Sequence, residues 1–173
     1  NMAMAITGTA DVGCQWNYRI GRDAVAQHIG HLDGFATEIL QEIHEGLERE
    51  HGPIGTTTVY HFGFVPGVTQ PIRFTYRSTN GYASERVDVP GFGVKPPPQS
   101  FQLEQPGDLD GFIGLAQRIR AENDEGRTDE HIRIGGELHL LLLQDHASQV
   151  ARIHRFSDYD EHWATMMRRL AEY

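Results

Sequence analysis

The sequence has one cysteine, Cys14. A disulfide within the chain is therefore excluded, and so are the CxxC and Cys/His spacings of structural zinc sites. A reducing, cytoplasmic compartment is the simplest setting for such cysteine usage. Lysine is equally scarce. Of 15 basic residues only Lys95 is a lysine, so a catalytic lysine within these residues would have to be Lys95. Long apolar runs are missing: none approaches the roughly 20 residues of a membrane span, and no signal peptide is expected. Positive charge is in deficit, with 24 acidic residues and a formal net charge of -9. That balance argues against nucleic acid and anionic membranes as partners and fits a solvated surface.

What is present points to a single domain spanning 1–173. A chain of 173 residues can bury roughly 70% of the surface it exposes when unfolded, so it needs no disulfide or metal to fold. The most apolar stretch is Ile134-Gly135-Gly136-Glu137-Leu138-His139-Leu140-Leu141-Leu142-Leu143. Its four successive leucines predict burial on both faces. A short run after a glycine pair, followed by the polar residues 144–148 and an alternating arm at 150–156, reads as a central β-hairpin.

Elsewhere the pattern reads as a short buried strand at 3–9 and a loop at 10–22. The clearest helix is expected at 23–50, capped by Asp23, with Val25, His28, Ile29, Leu32, Phe35, Ile39, Ile43 and Leu47 on its apolar stripe. Gly30 and Gly34 are candidates for close helix–sheet approach. Residues 56–89 read as a three-stranded antiparallel meander with a turn at Asn80-Gly81. The Pro96-Pro97-Pro98 segment reads as an extended loop. A second helix is expected at 109–122, with Phe112, Ile113, Leu115, Ala116 and Ile119 on one side. A closing helix is expected at 158–173, with Trp163, Met166, Met167 and Leu170 turned inward. Hairpins separated by long helices define an α+β class, a layered αββα-like arrangement of antiparallel sheets covered by helices.

This order, with its glycine punctuation, resembles the Ntn-hydrolase fold (amino-terminal-nucleophile hydrolases) and within it the proteasome β-subunit-like family. Ala5-Ile6-Thr7-Gly8-Thr9-Ala10-Asp11 is similar to the strand and turn before that family's first long helix. The meander with Gly81-Tyr82, the Pro90-Gly91-Phe92-Gly93 loop and the Gly135-Gly136 entry into a late strand match further pieces in order. The resemblance implies an amide- or peptide-bond hydrolase that self-associates, with Trp163 and Met167 on an edge helix facing a mate. Its chemistry would come from a Thr, Ser or Cys at the mature amino terminus. Here the first residue is Asn1, which has no nucleophilic group, and the family's first hairpin has no counterpart before Ala3. An upstream segment carrying the nucleophile is the favoured expectation; a catalytically silent assembly or binding subunit of the same fold is the alternative.

Within the residues given, no catalytic residue is assigned, and neither cofactor nor metal is expected. The remaining candidates each meet a simpler reading. Cys14 has no local histidine to activate it and reads as a small semi-buried residue. His28 and His31 have a spacing that metal ligands use, but no HExxH signature accompanies them. His139 and His154 could face each other across the hairpin, as metal ligands or in proton transfer, which defines a third reading as an α+β ligand- or metal-binding protein. His131 and His146 read as loop residues. Asp158, Asp160 and Glu161 sit at a helix start, where negative charge complements the dipole. Gly135-Gly136 precedes a strand and is not a phosphate loop; Gly91-Phe92-Gly93 is no stronger.

Overall fold

The computed structural model describes residues 2–23, 26–88, 91–95, 97–125, 136–144 and 147–170, with backbone alone for His162, Met166, Arg169 and Leu170. It is an α+β protein of helices and antiparallel strands. The chain divides into two compact units, Asn1–Pro90 with Leu143–Ser148, and Gly91–Leu142 with Gln149–Tyr173. Asn1, Val25, Pro96, His131, Gly135 and His146, which figure in the expectations above, lie outside the described residues.

The first unit runs β1 (Met2–Gly8), α1 (Ala10–Asp23), α2 (Ile29–His51), β2 (Thr57–Gly63), β3 (Ile72–Arg77) and β4 (Glu85–Val87). The strands form one antiparallel sheet in the order β1-β2-β3-β4. The register pairs Ile6 with Val59 and Met4 with His61, then Val59 with Tyr76 and His61 with Phe74. These side chains share one face, because directly opposed residues point the same way. Against that face α2 lays Ile29, Leu32, Ala36, Leu40, Ile43 and Leu47, all buried at helical spacing. α1 adds Val12 and Trp16 to the same core.

Two expectations are corrected here. Residues 10–22 are a helix, not a loop. Gly13, which reads as a breaker, is a contact: a Cβ there would lie 2.6 Å from Cδ1 of Ile6, so glycine lets α1 rest on β1. The second helix starts at Ile29, whereas Asp23 is the last residue of α1. Its cap is His28, whose Nδ1 accepts the His31 N–H at 3.1 Å. Of the two glycines picked for close approach, Gly30 has Val65 3.1 Å from its would-be Cβ and Gly34 faces open space.

The meander is present, but its last strand is only Glu85–Val87. Tyr82, expected in that strand, instead follows Gly81 into the left-handed region (φ +63 and +57). Few side chains tolerate that backbone. Its ring is buried against α2, where the hydroxyl meets Nδ1 of His44 at 2.9 Å. Thr37 Oγ1 donates to the Tyr82 carbonyl at 2.8 Å, and Gln41 Nε2 to that of Gly81 at 2.6 Å. The packing of the ring and these three bonds hold the turn.

The second unit contains α3 (Leu109–Glu125), the hairpin β5–β6 (Glu137–Leu143, Ser148–Arg155) except its tip at Leu143–Ser148, and α4 (Tyr159–Leu170). Asp108 caps α3 by accepting the Gly111 N–H at 2.8 Å. Gly136 enters β5 at φ +84, and its carbonyl accepts the Phe156 N–H at 3.0 Å. The apolar stretch expected to be buried on both faces is not: Leu141 and Leu142 are 43% and 50% exposed, and Val150 more so. Among the described residues these two strands pair only with each other. Along α3, Ile119 is buried, while Leu109 and Phe112 are exposed. On α4, Trp163 and Met167 were expected inward and are instead about half exposed; Trp163 stacks on Tyr159 at 6.2 Å. Among the described residues no helix is long and apolar enough to cross a membrane.

The β1–α1 turn is the most constrained joint. Gly8 has φ +101, and a Cβ there would stand 1.9 Å from the Thr56 carbonyl oxygen, which is backbone and cannot yield. Gly8→Ala is expected to destabilise the protein by more than about 2 kcal/mol, read from urea unfolding. A change within about 0.5 kcal/mol would show that the turn relaxes freely.

Candidate functional site

In the first unit, the polar groups of the core form a chain. Trp16 Nε1 donates to His61 Nε2 at 2.8 Å, and the two rings stack with centroids 5.6 Å apart. Tyr76 packs edge-on against His61 at 5.2 Å. Its hydroxyl donates to Asp33 Oδ1 at 2.8 Å, and Ser84 Oγ donates to the same oxygen at 2.5 Å. Trp16, His61 and Tyr76 have no solvent exposure.

The donor logic fixes the protonation of His61. An indole N–H can only donate, so Nε2 must be the unprotonated nitrogen and the imidazole proton sits on Nδ1. Protonating Nε2 would set two donors against each other. Burial lowers the pKa of His61 to about 4, with the charge of Asp33 pulling weakly the other way. Burial, then the bond to Asp33, pushes the Tyr76 hydroxyl well above its ordinary value. Both rings therefore stay neutral across the physiological range. This cluster joins α1 and α2 to the sheet, with its Trp16, His61 and Tyr76 end buried and its Asp33–Ser84 end reaching the surface.

In the second unit a cavity of about 350 Å³ opens between α3, the hairpin and residues 92–95. Leu115 and Ile119 line it from α3, Leu138 and Ile153 from the hairpin. Phe92 and Phe112 meet edge to face at 6.1 Å on its wall. Lys95 and His139 are its two ionisable lining residues. His139 Nε2 lies 3.1 Å from Glu137. That carboxylate also receives Arg152 Nη1 at 2.7 Å and Arg155 Nε at 2.9 Å. Hydrogen bonds from Arg152 first, then Arg155 and His139, hold Glu137 at about 2.

The other candidates fall into place separately. His139 and His154 line different cavities; His154 packs on Phe156 at 5.0 Å and lies 3.5 Å from Gln117. Among the described residues no group of three His, Cys, Asp or Glu side chains could hold a metal ion. His28 and His31 serve the α2 cap, with rings 6.2 Å apart. Cys14 is exposed on α1, not semi-buried. Asp158 makes a two-pronged pair with Arg120, and Asp160 lies 3.3 Å from Arg155 at the start of α4. Lys95 and Phe92 read as loop residues in the sequence, and only their convergence with α3 reveals a cavity.

Compared with family models, with curated proteins and with solved structures, the chain has no match.

His61 sets a pH dependence. Its folded pKa, about 4, lies below the ordinary 6.5, so the unfolded state binds more protons between those values. The stability this group contributes is complete above about pH 6.5 and falls as pH drops toward 4. The loss amounts to about 3 kcal/mol. His61→Gln, which keeps an acceptor for Trp16, is expected to flatten unfolding free energy across that window; an unchanged pH slope would remove His61 as its source.

Proposed function

We propose that this chain is the scaffold of a proteasome-like Ntn hydrolase acting on amide or peptide bonds. In this reading the attacking Thr, Ser or Cys lies on a strand pair that is not among residues 1–173. The observation that carries it is the second sheet, which among the described residues has two strands. A hairpin of two strands is marginal by itself, and an apolar strand with an open edge accepts another strand. Leu141 and Leu142 supply such a strand, exposed along β5.

The order of elements supports the same reading. β1 turns at Gly8 directly into α1, α2 follows, and the β2–β4 meander comes next. That sequence of strand, turn and long helices is what the resemblance implies. The αββα stacking, the self-association through Trp163 and Met167, a peptide or amide substrate and a cytoplasmic setting belong to this proposal as well. Fold analogy contributes to it, so the test addresses chemistry directly.

Expression from the complete coding sequence, followed by intact mass and assay against fluorogenic peptide amides, decides the matter. The expected result is a mature amino-terminal Thr, Ser or Cys, with turnover that falls by at least about a thousandfold when it is replaced by Ala. A mature chain with none of these residues at its amino end overturns the catalytic reading and leaves a non-catalytic subunit.

A further inference from the structure

We propose that the cavity of the second unit binds a small neutral molecule built on an aromatic ring. This does not depend on the hydrolase reading. A volume of about 350 Å³ lies within the range of small-molecule sites, roughly 300–1,000 Å³. Three separate segments meet at it: residues 92–95, α3 and the hairpin. Leu115 and Ile119 from α3, with Leu138 and Ile153 from the hairpin, offer aliphatic contact.

The ring follows from the aromatic pair. Phe92 and Phe112 lie with centroids 6.1 Å apart and planes at 74°. A ring's face is negative and its edge positive, so a pair set this way accepts a third ring, edge to face or offset. Phe112 is 36% exposed, and Phe92, Leu115, Leu138 and Ile153 are half-buried. Water on these lining side chains is what a ligand would displace, and burial of that apolar surface drives binding. Neutrality follows from the same side chains. An ionised ligand would exchange its hydration for aliphatic and aromatic contact, which is costly; a neutral one loses nothing comparable. Lys95 and His139, which also line the cavity, already have partners, Glu137 at 3.1 Å in the case of His139. The occupant's affinity is therefore assigned to its ring and not to a charge.

The test titrates 4-phenylbutan-1-ol, 4-phenylbutyrate and 4-phenylbutylamine (cationic at neutral pH) into the purified chain by calorimetry. The alcohol is expected to bind at least about tenfold more tightly than either ion. Phe112→Leu keeps an apolar side chain and removes the ring. It is expected to weaken 4-phenylbutan-1-ol about threefold and 1-octanol by less. Ala116→Trp, on the α3 wall, is expected to weaken both alcohols at least about tenfold by filling the space. If that variant does not fold by circular dichroism, Val94→Trp obstructs the same space from the loop side. Absence of binding by the aromatic alcohol overturns the proposal, as does an ion that binds as tightly. Equal losses of the two alcohols in Phe112→Leu overturn the aromatic assignment. Undiminished affinity in the folded filling variant places binding elsewhere and overturns the site. Hydrolase activity is not read in any arm, so failure here and failure of the catalytic reading are separate outcomes.

Discussion

The indole N–H of Trp16 has one acceptor, and it lies on a different element. That single bond to His61 ties α1 to the central strand β2 across 45 residues of chain. It fixes the imidazole tautomer, and through the tautomer it keeps the middle of the core uncharged. Around it further buried polar groups find partners, although Nδ1 of His61 and Oγ1 of Thr57 and Thr75 have none. Tyr76 reaches Asp33 on α2, and Tyr82 reaches His44 about three turns further along the same helix. The close β1–α1 joint, with glycine at positions 8 and 13, is what brings Trp16 within reach.

The second unit is held differently. Its described core is thin, with Ile119 and Phe156 buried, and its strongest contacts are charged pairs nearer the surface. Arg120 joins α3 to Asp158 and covers the Phe156 ring at 4.8 Å, while Glu137 gathers Arg152 and Arg155 from the neighbouring strand. Pairs with that much water around them contribute little each. Leu141 and Leu142 add nothing to that core, since both are exposed.

The sequence made the α+β class, the meander, the Asn80-Gly81 turn, the late hairpin and both long helices legible, since periodicity and turn residues are local signals. It hid α1, because Gly13 and Gly21 look like breakers and the buried stripe is only Val12, Gly13 and Trp16. It misled on burial at Leu141, Leu142, Trp163 and Met167, because hydrophobicity states what a residue prefers and not whether a neighbour exists to cover it. The His61 cluster joins residues 16, 33, 61, 76 and 84, and no spacing rule relates them. The cavity was hidden for the same reason: residues 92–95 and α3 meet only in three dimensions.

The scarcity of lysine has a practical side. Lys95 is exposed, and it is the chain's sole side-chain amine. Reductive methylation with isotope-labelled formaldehyde would therefore place one side-chain reporter on the molecule, at the wall of the cavity. Its resonance would respond to that cavity without interference from any other side chain, a degree of selectivity that proteins with ordinary lysine content reach only through extensive mutagenesis.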